Sequence, residues 1–179
     1  MKKKFLDPNI NNKSKTVEDK IQLFMFEGNK LPLPTEIEIS ESGTCNRTCS
    51  FCPRSAANFI DKKEFITNTL HQKLCEELKE LNYRGTIRYS GFVEPMLDKN
   101  IYNLINMVRD YLPECNVEMV TNGDPLNLKR LKKLFQSGLN KILISAYDGK
   151  EESQKLEDLC VSANLREEQY IVRHRYYSE

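Results

Sequence analysis

The sequence predicts an α/β fold: a partial TIM-like (βα) barrel of about five parallel strands with outer helices. Three observations carry that reading. Short strand-like runs alternate with helical periodicities along most of the chain. Regular alternation of this kind makes the strands parallel and curls successive units in one sense. The strands themselves alternate polar and apolar residues, whereas a strand buried on two apolar faces is apolar throughout. One face therefore packs on helices, and the other lines a polar lumen.

The elements follow in order. Residues 1–15 are rich in lysine and asparagine and read as a mobile tail. Residues 16–27 read as a short helix, opened by Thr16 with Glu18 and Asp19 and stopped by Gly28. Residues 1–30 thus form an N-terminal extension, and 31–179 the core domain. Pro32 and Pro34 break the chain into an extended segment. The first strand, 35–40, sets Ile37 and Ile39 against Glu36, Glu38 and Ser40. Leu70, Leu74, Leu78 and Leu81 mark a helix, with Gly85 as its stop. Strand 86–90 sets Ile87 and Tyr89 against Thr86, Arg88 and Ser90. A helix on Ile101, Leu104, Ile105 and Val108 ends before Pro113. Strand 117–121 follows, then a helix on Leu128, Leu131, Leu134 and Phe135 stopped at Gly138. Strand 141–147 leads to a helix on Leu156, Leu159, Cys160 and Ala163, and 170–173 begins a fifth strand.

Composition narrows the function. The chain has 179 residues, 30 % of them charged, with a net charge of +1 and no tryptophan. Nothing in that balance favours a nucleic-acid partner. No run is long and apolar enough for a signal peptide or a membrane span, so a cytoplasmic protein with no membrane partner is expected. In that reducing setting, the six cysteines read as metal ligands or core thiols and not as disulfides.

Three of them, Cys45, Cys49 and Cys52, fall in the stretch CNRTCSFCP directly after the first strand. Three thiolates this close can hold three irons of a [4Fe–4S] cube and leave the fourth open. An open position is the mark of a working site. The other strands also end in glycine and small polar groups: SGFVEP at 90–95, TNGD at 121–124 and SAYDG at 145–149. Such loops let a ligand approach the backbone.

CNRTCSFCP, then SGFVEP, then TNG, in this order along βα units, resembles the radical S-adenosylmethionine (radical SAM) superfamily over roughly residues 33–150. The resemblance implies that Cys45, Cys49 and Cys52 ligate a [4Fe–4S] cluster whose fourth iron takes the amino and carboxylate groups of S-adenosylmethionine. It implies that Phe51 contacts the adenine. Gly91 and Glu94 match the second motif, with Ser90 in place of its first glycine, and Glu94 is expected to accept from the methionine ammonium. Ser145 and, more weakly, Asn122 are candidates for the ribose region, and Arg173 or Arg175 for the carboxylate. The implied reaction is reductive cleavage to methionine and a 5′-deoxyadenosyl radical, which abstracts hydrogen from an unknown substrate. It needs a low-potential electron donor of the flavodoxin or ferredoxin type. Glu36, Glu38, Arg88, Glu118 and Tyr147 would line the substrate side. Relative to a (βα)6 core the strand pattern is incomplete, and a SPASM-like C-terminal module is not seen. The chain is therefore expected to be the N-terminal or core portion of such an enzyme, truncated at its C-terminus.

Two alternatives stand beside this reading. One is a cluster-binding fragment without turnover. The other is a zinc-stabilised binding domain, with Cys75 as a fourth ligand. Cys75, Cys115 and Cys160 are otherwise expected to be thiols of the core or surface. His71 is expected at the surface, and His174 carries no signal. Glu36, Glu38 and Arg88 read equally well as a buried ion network. The basic residues Lys129, Arg130, Lys132 and Lys133 read as a solvated helix face.

Overall fold

A computed structural model describes residues 22–176. Two strands, β1 (Leu23–Phe26) and β2 (Asn29–Pro32), form an antiparallel hairpin. Its two-residue turn places Glu27 at φ 49° and Gly28 at φ 80°, the left-handed pair such turns require. The helix expected over 16–27 is corrected over its C-terminal part, and Gly28 is a hairpin residue and not a helix stop. The rest of that segment, with the tail before it, lies outside the described residues.

The core sheet comprises β3 (Glu36–Ile39), β4 (Thr86–Tyr89), β5 (Asn116–Thr121), β6 (Lys141–Ala146) and β7 (Tyr170–His174). They pair in chain order, all parallel, so β3 and β7 are the edges of an open, partial barrel. The crossovers carry α1 (Asn68–Glu80), α2 (Ile101–Tyr111), α3 (Leu128–Gln136) and α4 (Lys150–Ser162). Thr67 caps α1 by accepting from the Leu70 amide, and Asn127 caps α3 by accepting from that of Arg130. Asn82, at φ 49°, ends α1 three residues before the expected Gly85.

The predicted alternation holds. Ile87, Tyr89, Val117, Met119, Ile142 and Ile144 are buried on the helix side, against residues such as Leu104, Ile105, Leu131 and Leu134. The opposite face carries the charged and polar residues, with Val120 and Leu143 among them. Arg88 is buried there between Glu36, 2.5 Å from Nη1, and Glu118, 2.7 Å from Nη2. Of the expected network of Glu36, Glu38 and Arg88, the pair Glu36–Arg88 is observed, Glu118 supplies the second carboxylate, and Glu38 is exposed outside it.

Two other expectations fail. His71 is fully buried, because β4 brings the Tyr89 hydroxyl to 2.8 Å from Nε2 and α2 brings Met107 against Nδ1. Arg130 is not part of a solvated basic face, since it donates to the carbonyls of Pro125 and Met96. Cys75, Cys115 and Cys160 are all buried in the core. Among the described residues, no helix is long and apolar enough to cross a membrane.

Candidate active site

The parallel sheet carries the loops after β3, β4, β5 and β6 to one end, and they enclose a cavity of about 230 Å³. The eight residues expected to hold the cluster, adenine, ammonium and ribose line it: Cys45, Cys49, Cys52, Phe51, Gly91, Glu94, Asn122 and Ser145. Arg173, Arg175, Glu36, Glu38, Arg88 and Glu118, also expected around the site, are not among its lining residues. Tyr147 lines it too, and so do Arg47 and Arg54, whose roles the sequence did not indicate.

The cysteine loop is braced from within and without. The Cys52 amide donates to the Cys49 carbonyl at 2.9 Å, and Pro53 opens a single 3-10 turn, Pro53–Ser55. Arg54 is buried and donates to the carbonyls of Gly43 and Phe92 and to Asp61. Cys45 Sγ accepts from the amide of Arg47, two residues on, at 3.5 Å, and Asn122 Nδ2 lies 3.9 Å away. Burial pushes the Cys49 thiol up, partly offset by the positive charge of Arg47.

Gly91 sits at φ 117°, and a Cβ there would lie 2.1 Å from Ser40 Oγ. The turn after β4 therefore needs glycine twice over, for its backbone angle and for its neighbour. Glu94 is buried at its foot. Oε1 accepts from the Met96 amide at 3.0 Å and from Thr121 Oγ1 at 2.7 Å, and Oε2 accepts from the Asn122 amide at 2.7 Å. Burial raises its pKa, and these donors oppose the rise. The carboxylate thus ties the β4 loop to the tip of β5. Oε2, with one bond, keeps capacity for a further donor.

Asn122 Nδ2 also donates to Asn46 Oδ1 at 2.8 Å, and its Oδ1 accepts from the Asp124 amide. Ser145 is buried at the tip of β6, where its Oγ accepts from Arg173 Nη2 at 2.6 Å. Of the two arginines expected on β7, Arg173 thus reaches the cavity wall through Ser145. Phe51 is 69 % exposed, with its ring 5.6 Å from that of Tyr147.

The donor set fits an iron–sulfur cube better than a single ion. Three thiolates on one zinc stand about 3.8 Å apart, from bonds of about 2.3 Å in a tetrahedron. Cys45, Cys49 and Cys52 do not bring their sulfurs within 4.8 Å of one another as a set. A cube gives each cysteine its own iron and spaces the sulfurs wider. Cys75 sits in the core beside His71, away from the loop. The fourth ligand that the zinc reading needs is therefore not at the loop.

The chain is similar to known proteins. It is 34 % identical over 113 residues to the S-adenosyl-L-methionine-dependent 2-deoxy-scyllo-inosamine dehydrogenase of Niallia circulans, covering 63 % of this chain and 45 % of that protein. It is 29 % identical over 122 residues to a probable GTP 3′,8-cyclase of Thermococcus kodakarensis, covering 68 % and 38 %. Among solved structures, BtrN in complex with AdoMet and 2-DOIA superposes with a TM-score of 0.68 at 29 % identity, over 78 % of this chain and 56 % of that one. The chain thus spans about half the length of these relatives. The model of the Radical SAM superfamily matches residues 39–171, from the end of β3 into β7. With that match over most of its length and its three cysteines at the mouth of the barrel, the chain belongs to the Radical SAM superfamily.

Proposed function

We propose that this chain is the cluster- and cofactor-binding part of a radical SAM enzyme. Cys45, Cys49 and Cys52 would hold a [4Fe–4S] cluster, and S-adenosylmethionine would lie in the adjoining cavity. When bound, this pair supplies reductive cleavage to methionine and a 5′-deoxyadenosyl radical that takes hydrogen from a substrate. The observation that carries the reading is the convergence on one cavity of the eight residues expected to hold the cluster, adenine, ammonium and ribose.

The chain's own groups divide the work. Phe51 offers an exposed aromatic face for the adenine, and Tyr147 stands beside it. Gly91 lets the backbone of the β4 loop approach the ligand. The uncommitted capacity of Glu94 Oε2 suits an ammonium, in a site dry enough for a charge-assisted bond. Asn122 and Ser145 bring polar groups to the same wall for the ribose. Arg88, held between Glu36 and Glu118, pairs with both carboxylates and leaves the group one negative charge in excess. A low-potential flavodoxin or ferredoxin would supply the electron. The matched relatives are named for 2-deoxy-scyllo-inosamine and for GTP. The shared segment therefore speaks for the cofactor chemistry, and the substrate is left to assay.

Anaerobic reconstitution with iron and sulfide tests the binding half. About four irons per chain are expected, with loss of colour in Cys49→Ala. A colourless protein holding one tight zinc would sink the reading. Dithionite with S-adenosylmethionine then tests turnover. A fully loaded protein that releases no 5′-deoxyadenosine under these conditions counts against the enzyme and leaves the cluster-binding fragment.

A further inference from the structure

We propose that Arg47 is a positioning residue that locks the cysteine loop and the aromatic wall of the cavity into one rigid unit; this rests on the reading above. Arg47 lies inside the loop, between Cys45 and Cys49. Its guanidinium grips two carboxylates with two bonds each. Nε and Nη2 donate to Asp124 at 2.7 and 2.5 Å, and Nη1 and Nη2 donate to Asp148 at 3.0 and 2.8 Å. Nη2 also lies 3.2 Å from Glu152. Asp124 follows β5, Asp148 follows β6, and Glu152 opens α4. Asn46 adds a second tether, donating to Asp124 Oδ2 at 2.6 Å.

The network continues into the wall. The other oxygen of Glu152 accepts from the amides of Tyr147 and Asp148, at 2.6 and 2.7 Å. The Tyr147 ring contacts both the Arg47 guanidinium, 5.3 Å from its centroid, and the Phe51 ring. One side chain thus fixes the cysteine loop, the tips of β5 and β6, and the tyrosine that faces the cavity.

A surface ion pair contributes little because water screens it and both partners are flexible. This one differs in kind. The Arg47 side chain is only 17 % exposed, and although Asp124 and Asp148 are 32 % and 64 % exposed, both are gripped in bidentate fashion. Its removal leaves three carboxylates with oxygens within 4.8 Å of one another, and their repulsion acts to part the tips of β5 and β6. Groups that orient metal ligands from outside typically change affinity or activity by about 10- to 100-fold when removed.

The test is a titration of S-adenosylmethionine into the reduced, reconstituted protein, read by the change in the cluster's EPR spectrum. Iron content and far-UV CD are measured alongside. Arg47→Met is expected to keep its CD spectrum and to bind S-adenosylmethionine about 10- to 100-fold more weakly. Arg47→Lys keeps the charge but loses the paired bonds, and is expected to fall between Arg47→Met and wild type. Asp148→Asn alters the most exposed partner and is expected to weaken binding at full iron content. Should Arg47→Met fail to fold, the other two variants decide the matter. Titrations of Arg47→Lys and Asp148→Asn that match wild type at full iron content overturn the proposal. Wild-type protein that takes up no cluster overturns instead the reading it rests on.

Discussion

Replacing Glu41 with Gln alters one buried oxygen and leaves the size of the side chain unchanged. Glu41 lies between β3 and the cysteine loop and is 1 % exposed. Oε1 accepts from Ser42 Oγ at 3.2 Å, and among the described residues Oε2 has no hydrogen-bond partner. Burial raises its pKa from 4.5 to about 7, with hydrogen bonds opposing and the charges of Asp98 and Glu94 adding to the rise. The unfolded chain therefore releases this proton above pH 4.5, while the folded chain keeps it to about pH 7. Stability falls as pH rises through that window and then levels off. At about 1.4 kcal/mol per pH unit, the full loss is about 3 kcal/mol. His71 works in the opposite sense. Burial lowers its pKa from 6.5 to about 4, so its contribution is lost as pH falls between those values. The two slopes oppose, and the wild-type profile between them is shallow. The difference between variant and wild type removes the histidine from the comparison. Glu41→Gln is thus expected to gain about 3 kcal/mol on wild type between pH 4.5 and pH 7.5. Urea denaturation of the reduced, cluster-free protein at the two pH values measures it. A difference that stays flat across the window would refute the reasoning.

Three further outcomes follow from the same geometry. Glu94→Gln turns an amide nitrogen toward one of three buried donors, and is expected to cost about 1–3 kcal/mol in urea denaturation; a neutral result would mean that the carboxylate does not tie the two loops. Gly91→Ala combines the strained φ with a clash on Ser40, and is expected to lower stability by about 1–3 kcal/mol. Adding Ser40→Ala should recover the clash and leave the backbone strain, so a double variant no better than the single would count against this division. Arg88→Met removes the cation between Glu36 and Glu118 and is expected to cost about 3–5 kcal/mol, with thermal melting as the check and an unchanged midpoint as the contrary result.

What the sequence showed and what it hid divide by distance along the chain. The cysteine loop, the parallel units and the residues after each strand were legible because each signal is local: a spacing, a period, or a glycine at a strand end. The N-terminal hairpin was misread because Gly28 serves equally to stop a helix and to close a two-residue turn. Only pairing of Leu23 with Pro32 decides between them. His71 was misplaced because its partners, Tyr89 and Met107, come from other elements. Arg47 escaped for the same reason. Its carboxylates lie 77, 101 and 105 residues away, and nothing in CNRTCSFCP announces them.

The bond from Arg173 to Ser145 also decides which way a proton points. A guanidinium only donates, so Ser145 Oγ meets it with a lone pair. The serine's single hydrogen is thereby left to be given elsewhere, and the cavity is where this residue faces. The far edge strand therefore sets the hydrogen-bonding polarity of the pocket wall. At this point the site offers a hydrogen and asks its ligand for a lone pair. The second lone pair of Ser145 Oγ stays available, so a donating ligand group would share the oxygen with Arg173.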